Sequence, residues 1–181
     1  MLKKKKEEKI MNVKTYTTLP QEAKDIRIKV FMKEQGFENE FDDIDQISSH
    51  IVVFDETKPV GTCRFFKENN HYTIGRVAVL KEYRNQHIGN LLLKSAEKEI
   101  KRINGDVIVV HAQVRVSSFY EKQGYIQFGQ INDDEGVPHK WMKKGYSIKL
   151  LYPKYPSSFL PIPLSFQQIK NKSQHEYPNL L

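Results

Sequence analysis

The sequence predicts an α/β domain, and three observations predict it. A strand-like alternation near the start leads into an amphipathic helical stretch. Three strand candidates then follow one another, and a four-turn amphipathic helix runs directly into a continuous apolar strand. Taken in order, Val13 to Thr17 alternates apolar and polar residues, and Pro20 opens a helix over Gln21 to Lys33 with Ala23, Ile26, Val30 and Phe31 on one face. The acidic stretch Glu34 to Ser49, broken by Gly36, reads as a loop or a short second helix.

His50 to Asp55, Val60 to Lys67 and Tyr72 to Val79 are strands separated by turns at Lys58-Pro59 and Asn69-Asn70, and they pair as an antiparallel meander. Ile88, Leu91, Leu92, Ala96, Ile100 and Ile103 mark the strongest helix, which Asn104-Gly105 stops. Val107 to Ala112 has the unbroken apolar character of a strand buried on both faces. A short helix near Ser117 to Gln123 ends at Gly124, and strands around Tyr125 to Ile131 and His139 to Lys144 close the domain. Patterned sequence thus fills residues 11–144. Residues 1–10 read as a basic, solvated leader, with Met1 or Met11 as the start. Residues 145–181 hold five of the eight prolines interleaved with aromatics, and read as an irregular tail that could lie along a groove or a partner.

A chain of 181 residues is sized for one domain with appendages. Its longest apolar runs have four residues, where a membrane-spanning helix needs roughly 20. Cys63 is the single cysteine, which excludes an internal disulfide and, with no secretory h-region, fits a cytoplasmic setting. The net charge of +7 suggests nucleic acid until it is located. Residues 1–10 hold five Lys against two Glu, residues 145–181 four Lys against one Glu, and residues 11–144 carry 20 basic against 19 acidic residues. The domain itself has almost no excess charge for a phosphate backbone, so neither nucleic acid nor membrane is expected as a partner. His, Asp and Glu do not recur at zinc or calcium spacing, so no metal is expected.

The informative segment is Val77-Ala78-Val79-Leu80-Lys81-Glu82-Tyr83-Arg84-Asn85-Gln86-His87-Ile88-Gly89-Asn90, a buried strand that passes through a polar loop into the strong helix. A first helical turn leaves about four backbone N–H groups unpaired, which suits a phosphate or pyrophosphate. Arg84 adds positive charge, and Gly89 permits close approach to the backbone. This segment resembles the acetyl-CoA motif of the GNAT superfamily of N-acetyltransferases, Arg/Gln-x-x-Gly-x-Gly/Ala after a Val-Ala-Val strand. Ala112-Gln113 and then Phe119-Tyr120-Glu121-Lys122-Gln123-Gly124-Tyr125 resemble the family's second motif. Val30-Phe31 with Glu34-Gln35, the spaced Asp42, Asp45 and His50, and Glu135-Gly136-Val137-Pro138-His139 are similar to the ElaA-like branch. His87 stands where the family often has glycine, and His tolerates positive φ better than most residues. Asn90 is a second departure; Val116 and Ser118, where Ala and Pro are frequent, look like packing variations.

The resemblance implies a GNAT fold, a mixed and splayed sheet of about six to seven strands flanked by about four helices. It also implies transfer of an acetyl group from acetyl-CoA to the primary amine of a small molecule or peptide. Val77, Ala78 and Val79 would bind the pantetheine arm through their backbone and polarise the thioester. Arg84, Asn85, Gln86, His87, Ile88, Gly89 and Asn90 would hold the pyrophosphate. Tyr120 would act as general acid toward the departing thiolate, since a tyrosine with its ordinary pKa of about 10 carries its proton at pH 7. For the base, His111 is the first candidate, with His139, Glu40 and His50 as others. Gln35, Glu40, His50 and His139 are candidates for contact with the acceptor, and the acidic group Glu40, Asp42, Asp43 and Asp45 could recognise its positive charge. The rival from another class is a catalytically weak acyl-CoA-binding regulatory module. A homodimer is left open.

Overall fold

In a computed structural model, residues 10–145 are described, so the readings of the basic leader and of the proline-rich segment lie outside the described residues. Seven strands form one sheet in the order β1-β2-β3-β4-β5-β7-β6. They are β1 (Met11–Tyr16), β2 (Ser49–Asp55), β3 (Lys58–Glu68), β4 (His71–Val79), β5 (Val107–Gln113), β6 (Ile126–Asp134) and β7 (Val137–Gly145). Four α-helices accompany them: α1 (Gln21–Arg27), α2 (Ile44–Ile47), α3 (Ile88–Arg102) and α4 (Ser117–Lys122). The sheet is mixed, as the resemblance implied. β1–β2, β2–β3, β5–β7 and β6–β7 are antiparallel, and β4–β5 is parallel.

The described chain divides into two compact units, residues 10–66 with 76–99 and residues 67–75 with 100–145. The first contains β1, β2, most of β3, the end of β4 and most of α3. Here the predicted helix over Gln21 to Lys33 is α1 followed by a π-helical stretch, Ile28–Glu34. Ala23, Ile26 and Val30 are buried as the periodicity requires, and Arg27 is buried with them. Helix α3 buries Ile88, Leu92, Leu93 and Ala96, each contributing on the order of 1–3 kcal/mol of apolar transfer. Its first turns press against β3 at Gly61, where an added Cβ would lie 2.9 Å from Ile88 Cγ2 and 3.1 Å from Leu92 Cδ1. Any larger residue at 61 would push out the helix whose N-terminus builds the candidate site. Cys63, on the same strand, is fully enclosed, and burial pushes its thiol up to about 12, which removes it from nucleophilic chemistry.

One turn differs from the sequence reading. The β2–β3 reversal is made by Glu56-Thr57, with Glu56 at φ +54°, while Lys58-Pro59 belongs to β3. Pro59 is tolerated there because it faces Phe54 at an irregularity in the register.

In the second unit β5 runs between β4 and β7, with Ile108, Val109 and Val110 buried. The helix α3 terminates through Asn104, at φ +60°, with Gly105 N–H donating to Ile100 O at 2.9 Å. Gly105 is required for space: a Cβ would come within 2.4 Å of Ile100 and 2.7 Å of Tyr72. Strands β6 and β7 are longer than predicted because Glu135-Gly136 forms a tight hairpin with both residues at positive φ.

Candidate active site

The strand-to-helix junction is built from β4, a 3₁₀ turn at Lys81–Tyr83 and the start of α3. The turn is closed by Tyr83 N–H to Leu80 O and Arg84 N–H to Lys81 O, and is anchored by Tyr83 Oη donating to Asp55 Oδ2 at 2.9 Å. Beyond it Asn85 and His87 both adopt left-handed backbone, at φ +62° and +61°. The first helical bond is Leu91 N–H to His87 O. Among the described residues, the amide N–H groups of Asn85, Gln86, His87, Ile88 and Gly89 have no backbone acceptor. Left-handed residues interspersed in a turn aim successive N–H groups to one side and form an anion-binding concavity. Here the two left-handed residues directly precede the positive end of a 15-residue helix. Asn85, Gln86 and His87 are exposed, Ile88 is buried as the helix anchor and Gly89 and Asn90 are half-buried.

Arg84 is already engaged. Its Nη1 and Nη2 donate to Glu34 Oε1 and Oε2 at 2.6 and 2.7 Å, and its Nε donates to Val79 O at 3.1 Å. The guanidinium that the sequence offered to a phosphate is therefore opposed by a carboxylate from the end of the π-helical stretch. On β4, Ala78 is buried while Val77 and Val79 are half-buried. The parallel ladder to β5 covers Tyr72, Thr73 and Ile74 against Ile108, Val109 and Val110. Two residues further along β4, Arg76 takes up a left-handed backbone at φ +52°.

Two of the acceptor candidates lie in a buried cluster. Glu40 and His50 are buried inside a network of charged side chains. Arg27 Nε donates to Glu40 Oε1 at 2.6 Å, and Arg27 Nη1 and Nη2 donate to Asp45 at 2.7 and 3.0 Å. Arg64 Nη1 donates to Asp45 Oδ1 at 2.7 Å and Arg64 Nη2 to Asp42 Oδ2 at 2.8 Å. His50 Nε2 lies 3.1 Å from Asp45 O. The carboxylates of Glu40, Asp42 and Asp45 thus face arginines of the same chain; Glu40 and Asp45 are buried and need an internal counter-charge, while Asp42 lies at the exposed edge of the network. Burial alone would raise the Asp45 carboxyl, but the hydrogen bonds and charges of Arg27 and Arg64 prevail and hold it down at about 2. Burial lowers the His50 imidazole, against the pull of Asp45. Both Glu40 and His50 thus have partners within the chain. Gln35, which ends the π-helical stretch, is half-buried.

In the second unit Tyr120 is on α4, buried between the ring edges of Phe119 and Tyr125. The helix ends just beyond it through Gly124 at φ +88°, with the Gln123 and Tyr125 N–H groups both donating to Tyr120 O. His111 on β5 and His139 on β7 are brought together, with ring centroids 4.8 Å apart. His111 also stacks on Trp141 at 4.3 Å, its register partner, and its Nε2 lies 3.1 Å from Asn132 Oδ1. Burial lowers the His111 imidazole below its usual range, and the neighbouring His139 adds to this against Asn132 and Asp134. A neutral imidazole at pH 7 is competent to accept a proton. His139 Nδ1 is 2.8 Å from Val137 O. Sequence reasoning missed Trp141 and Asn132; the period-2 spacing of His139 and Trp141 was the one available signal.

Residues 12–146 match the family model of the acetyltransferase (GNAT) domain. The chain belongs to the GNAT acetyltransferase family. Its relatives include YjcF of Bacillus subtilis, described as an uncharacterized N-acetyltransferase, which is 34% identical over 122 residues, 66% of this chain and 87% of YjcF. The crystal structure of Escherichia coli ElaA superposes with a TM-score of 0.67 at 22% identity, over 75% of this chain and 99% of ElaA. A GNAT acetyltransferase from Elizabethkingia anophelis, solved with acetyl-CoA bound, superposes at a TM-score of 0.57 and 14% identity over 75% and 97% of the two chains. ElaA of Escherichia coli also matches in sequence, 25% identical over 126 residues, 66% of this chain and 82% of ElaA, in agreement with the branch that the motifs resembled. Among the described residues of this GNAT chain, no helix is long and apolar enough to cross a membrane, and no group of three or more His, Cys, Asp or Glu could hold a metal ion.

Proposed function

We propose that this GNAT acetyltransferase moves an acetyl group from acetyl-CoA to a primary amine by direct attack in a ternary complex. The observation that carries the reading is the run of amides from Asn85 to Gly89, open at the head of α3 and shaped by two left-handed residues. It fits a pyrophosphate in kind and charge, and a bound acetyl-CoA would supply the thioester carbonyl and the thiolate leaving group. Residues 84–90 hold the pyrophosphate through their backbone, and Gly89 leaves room for it beside the helix. Val77, Ala78 and Val79 present backbone groups to the pantetheine arm, one N–H polarising the thioester oxygen. Tyr120 donates its phenolic proton to the sulfur. His111 accepts the proton of the incoming ammonium, with Asn132 and Trp141 fixing the ring.

The neutralisation of Arg84 by Glu34 favours one alternative, a module that binds acyl-CoA without efficient turnover. Release of CoA thiol in the presence of a panel of primary amines separates the two. Turnover that Tyr120→Phe lowers by about 100- to 10,000-fold, with acetyl-CoA affinity retained, is the expected result. Binding without thiol release from any amine would leave the regulatory module, and an unaltered kcat in Tyr120→Phe would remove Tyr120 from the mechanism.

A further inference from the structure

Arg76 is a strand residue in a conformation that strands do not use. Its φ of +52° interrupts β4 one residue before Val77, and an L-residue other than glycine adopts that region at a steric cost. Such a conformation persists when the surroundings over-determine it, and a left-handed residue inside a strand changes the direction of the backbone that follows. The side chain shows what does so here. Arg76 Nε lies 3.2 Å from Glu40 Oε2, Nη2 lies 3.3 Å from Asp42 Oδ2, and both nitrogens approach Glu40 O at 3.4 and 3.3 Å. Neither anchor is free to follow Arg76 if it moves. Glu40 is held by buried Arg27 through its carboxylate and, at 2.9 Å, through its carbonyl, and Asp42 is held by buried Arg64. The guanidinium is therefore tied to a fixed point some 36 residues earlier in the chain.

We propose that Arg76 is a positioning residue for the acyl donor: its guanidinium, clamped by Glu40 and Asp42, holds the left-handed backbone at this residue, which sets the orientation of Val77, Ala78 and Val79 toward the pantetheine thioester. The inference rests on the assignment of β4 to the pantetheine arm made above. It gives Glu40 and Asp42 a task, since their carboxylates hold the residue that precedes Val77. The amides of 85–89 belong to the next element and do not depend on the clamp.

The test compares two probes by calorimetry. Adenosine 3′-phosphate 5′-diphosphate carries the phosphates without the pantetheine arm, and acetyl-CoA carries both. Arg76→Ala should weaken acetyl-CoA by about tenfold, the order of a lost charge-assisted hydrogen bond, and leave the diphosphate probe unchanged. Arg76→Gly keeps the backbone freedom and loses the clamp, and should show the same selective loss; Arg76→Lys should recover part of it. Equal losses of both probes, no loss of either, or wild-type acetyl-CoA affinity in Arg76→Gly would each overturn the role of Arg76. If Arg76→Ala does not fold, the Gly and Lys variants carry the same comparison. Wild-type protein that binds neither probe would overturn the acetyl-CoA reading itself and Arg76 with it, whereas wild-type binding with unselective losses would overturn the clamp alone.

Discussion

Arg84 and Glu34, 50 residues apart in the chain, meet with both guanidinium–carboxylate contacts made, at 2.6 and 2.7 Å. Arg84 directly precedes the run of amides at the head of α3, and about a third of each side chain remains exposed. The pair sets how much positive charge the loop offers to a polyanion. Glu34→Gln should therefore tighten acetyl-CoA binding by about threefold at low ionic strength, and the gain should fade in 0.5 M salt, where the screening length is only about 4 Å. Arg84→Ala should weaken binding. Calorimetry at two salt concentrations measures both, and weaker binding by Glu34→Gln would show that Glu34 orients Arg84 without competing for it.

The left-handed residues of the loop give a prediction about stability. His87 at φ +61° has a cost of about 1 kcal/mol that glycine would avoid, offset by the freer unfolded chain. His87→Gly should leave Tm within about 2 °C of wild type and keep acetyl-CoA affinity. His87→Val, β-branched in a region it cannot easily occupy, should lower Tm by about 4 °C. A large loss of affinity in His87→Gly would mean that the imidazole itself contacts the ligand.

The buried network makes stability depend on acid. Asp45 is depressed to about 2 in the folded chain, below the ordinary carboxylate value of about 3.9. A depressed carboxyl stabilises the fold above its unfolded pKa, and the contribution is lost as pH falls toward the folded one. The Asp45 share is thus complete above about pH 5 and gone only by about pH 1, below both values. Asp45→Asn leaves Arg27 and Arg64 without one shared anion and should cost about 3–5 kcal/mol at pH 7. Urea unfolding at pH 7 and pH 3 should show the difference from wild type shrinking at the lower pH; a constant difference would remove the charge from the explanation.

His111 is held neutral at pH 7 by burial first and by His139 second. If it takes the proton of the acceptor, the acidic limb of kcat/KM lies below the ordinary imidazole value of 6.5 and coincides with the titration of the His111 ring followed by NMR. His111→Asn should lower kcat by about 100-fold or more and abolish that limb. An unchanged acidic limb in His111→Asn assigns the proton to another group.

The alternation of β1, the period of α3 and the unbroken apolar run of β5 were legible because each burial pattern is written in neighbouring residues. The strand-to-helix loop was legible for the same reason: strand, turn and helix N-terminus are consecutive. Even the tolerance of His87 for positive φ could be read, since backbone preference belongs to the residue type. The clamp on Arg76 and the pairing of Arg84 with Glu34 could not, because ion-pair partners are chosen by spatial approach across 34 to 50 residues.

The acidic segment shows where the boundary falls. By itself the sequence determined the order of elements and the amide loop at the head of α3, and its resemblance to the family gave the expected six to seven strands, of which seven are present among the described residues. Only the tertiary structure decided that Glu40, Asp42 and Asp45 are spent on Arg27, Arg64 and Arg76, and that His111 stacks on Trp141. The reason is physical: local propensities act over a few residues, whereas a charge buried on folding takes whichever counter-charge the topology brings to it.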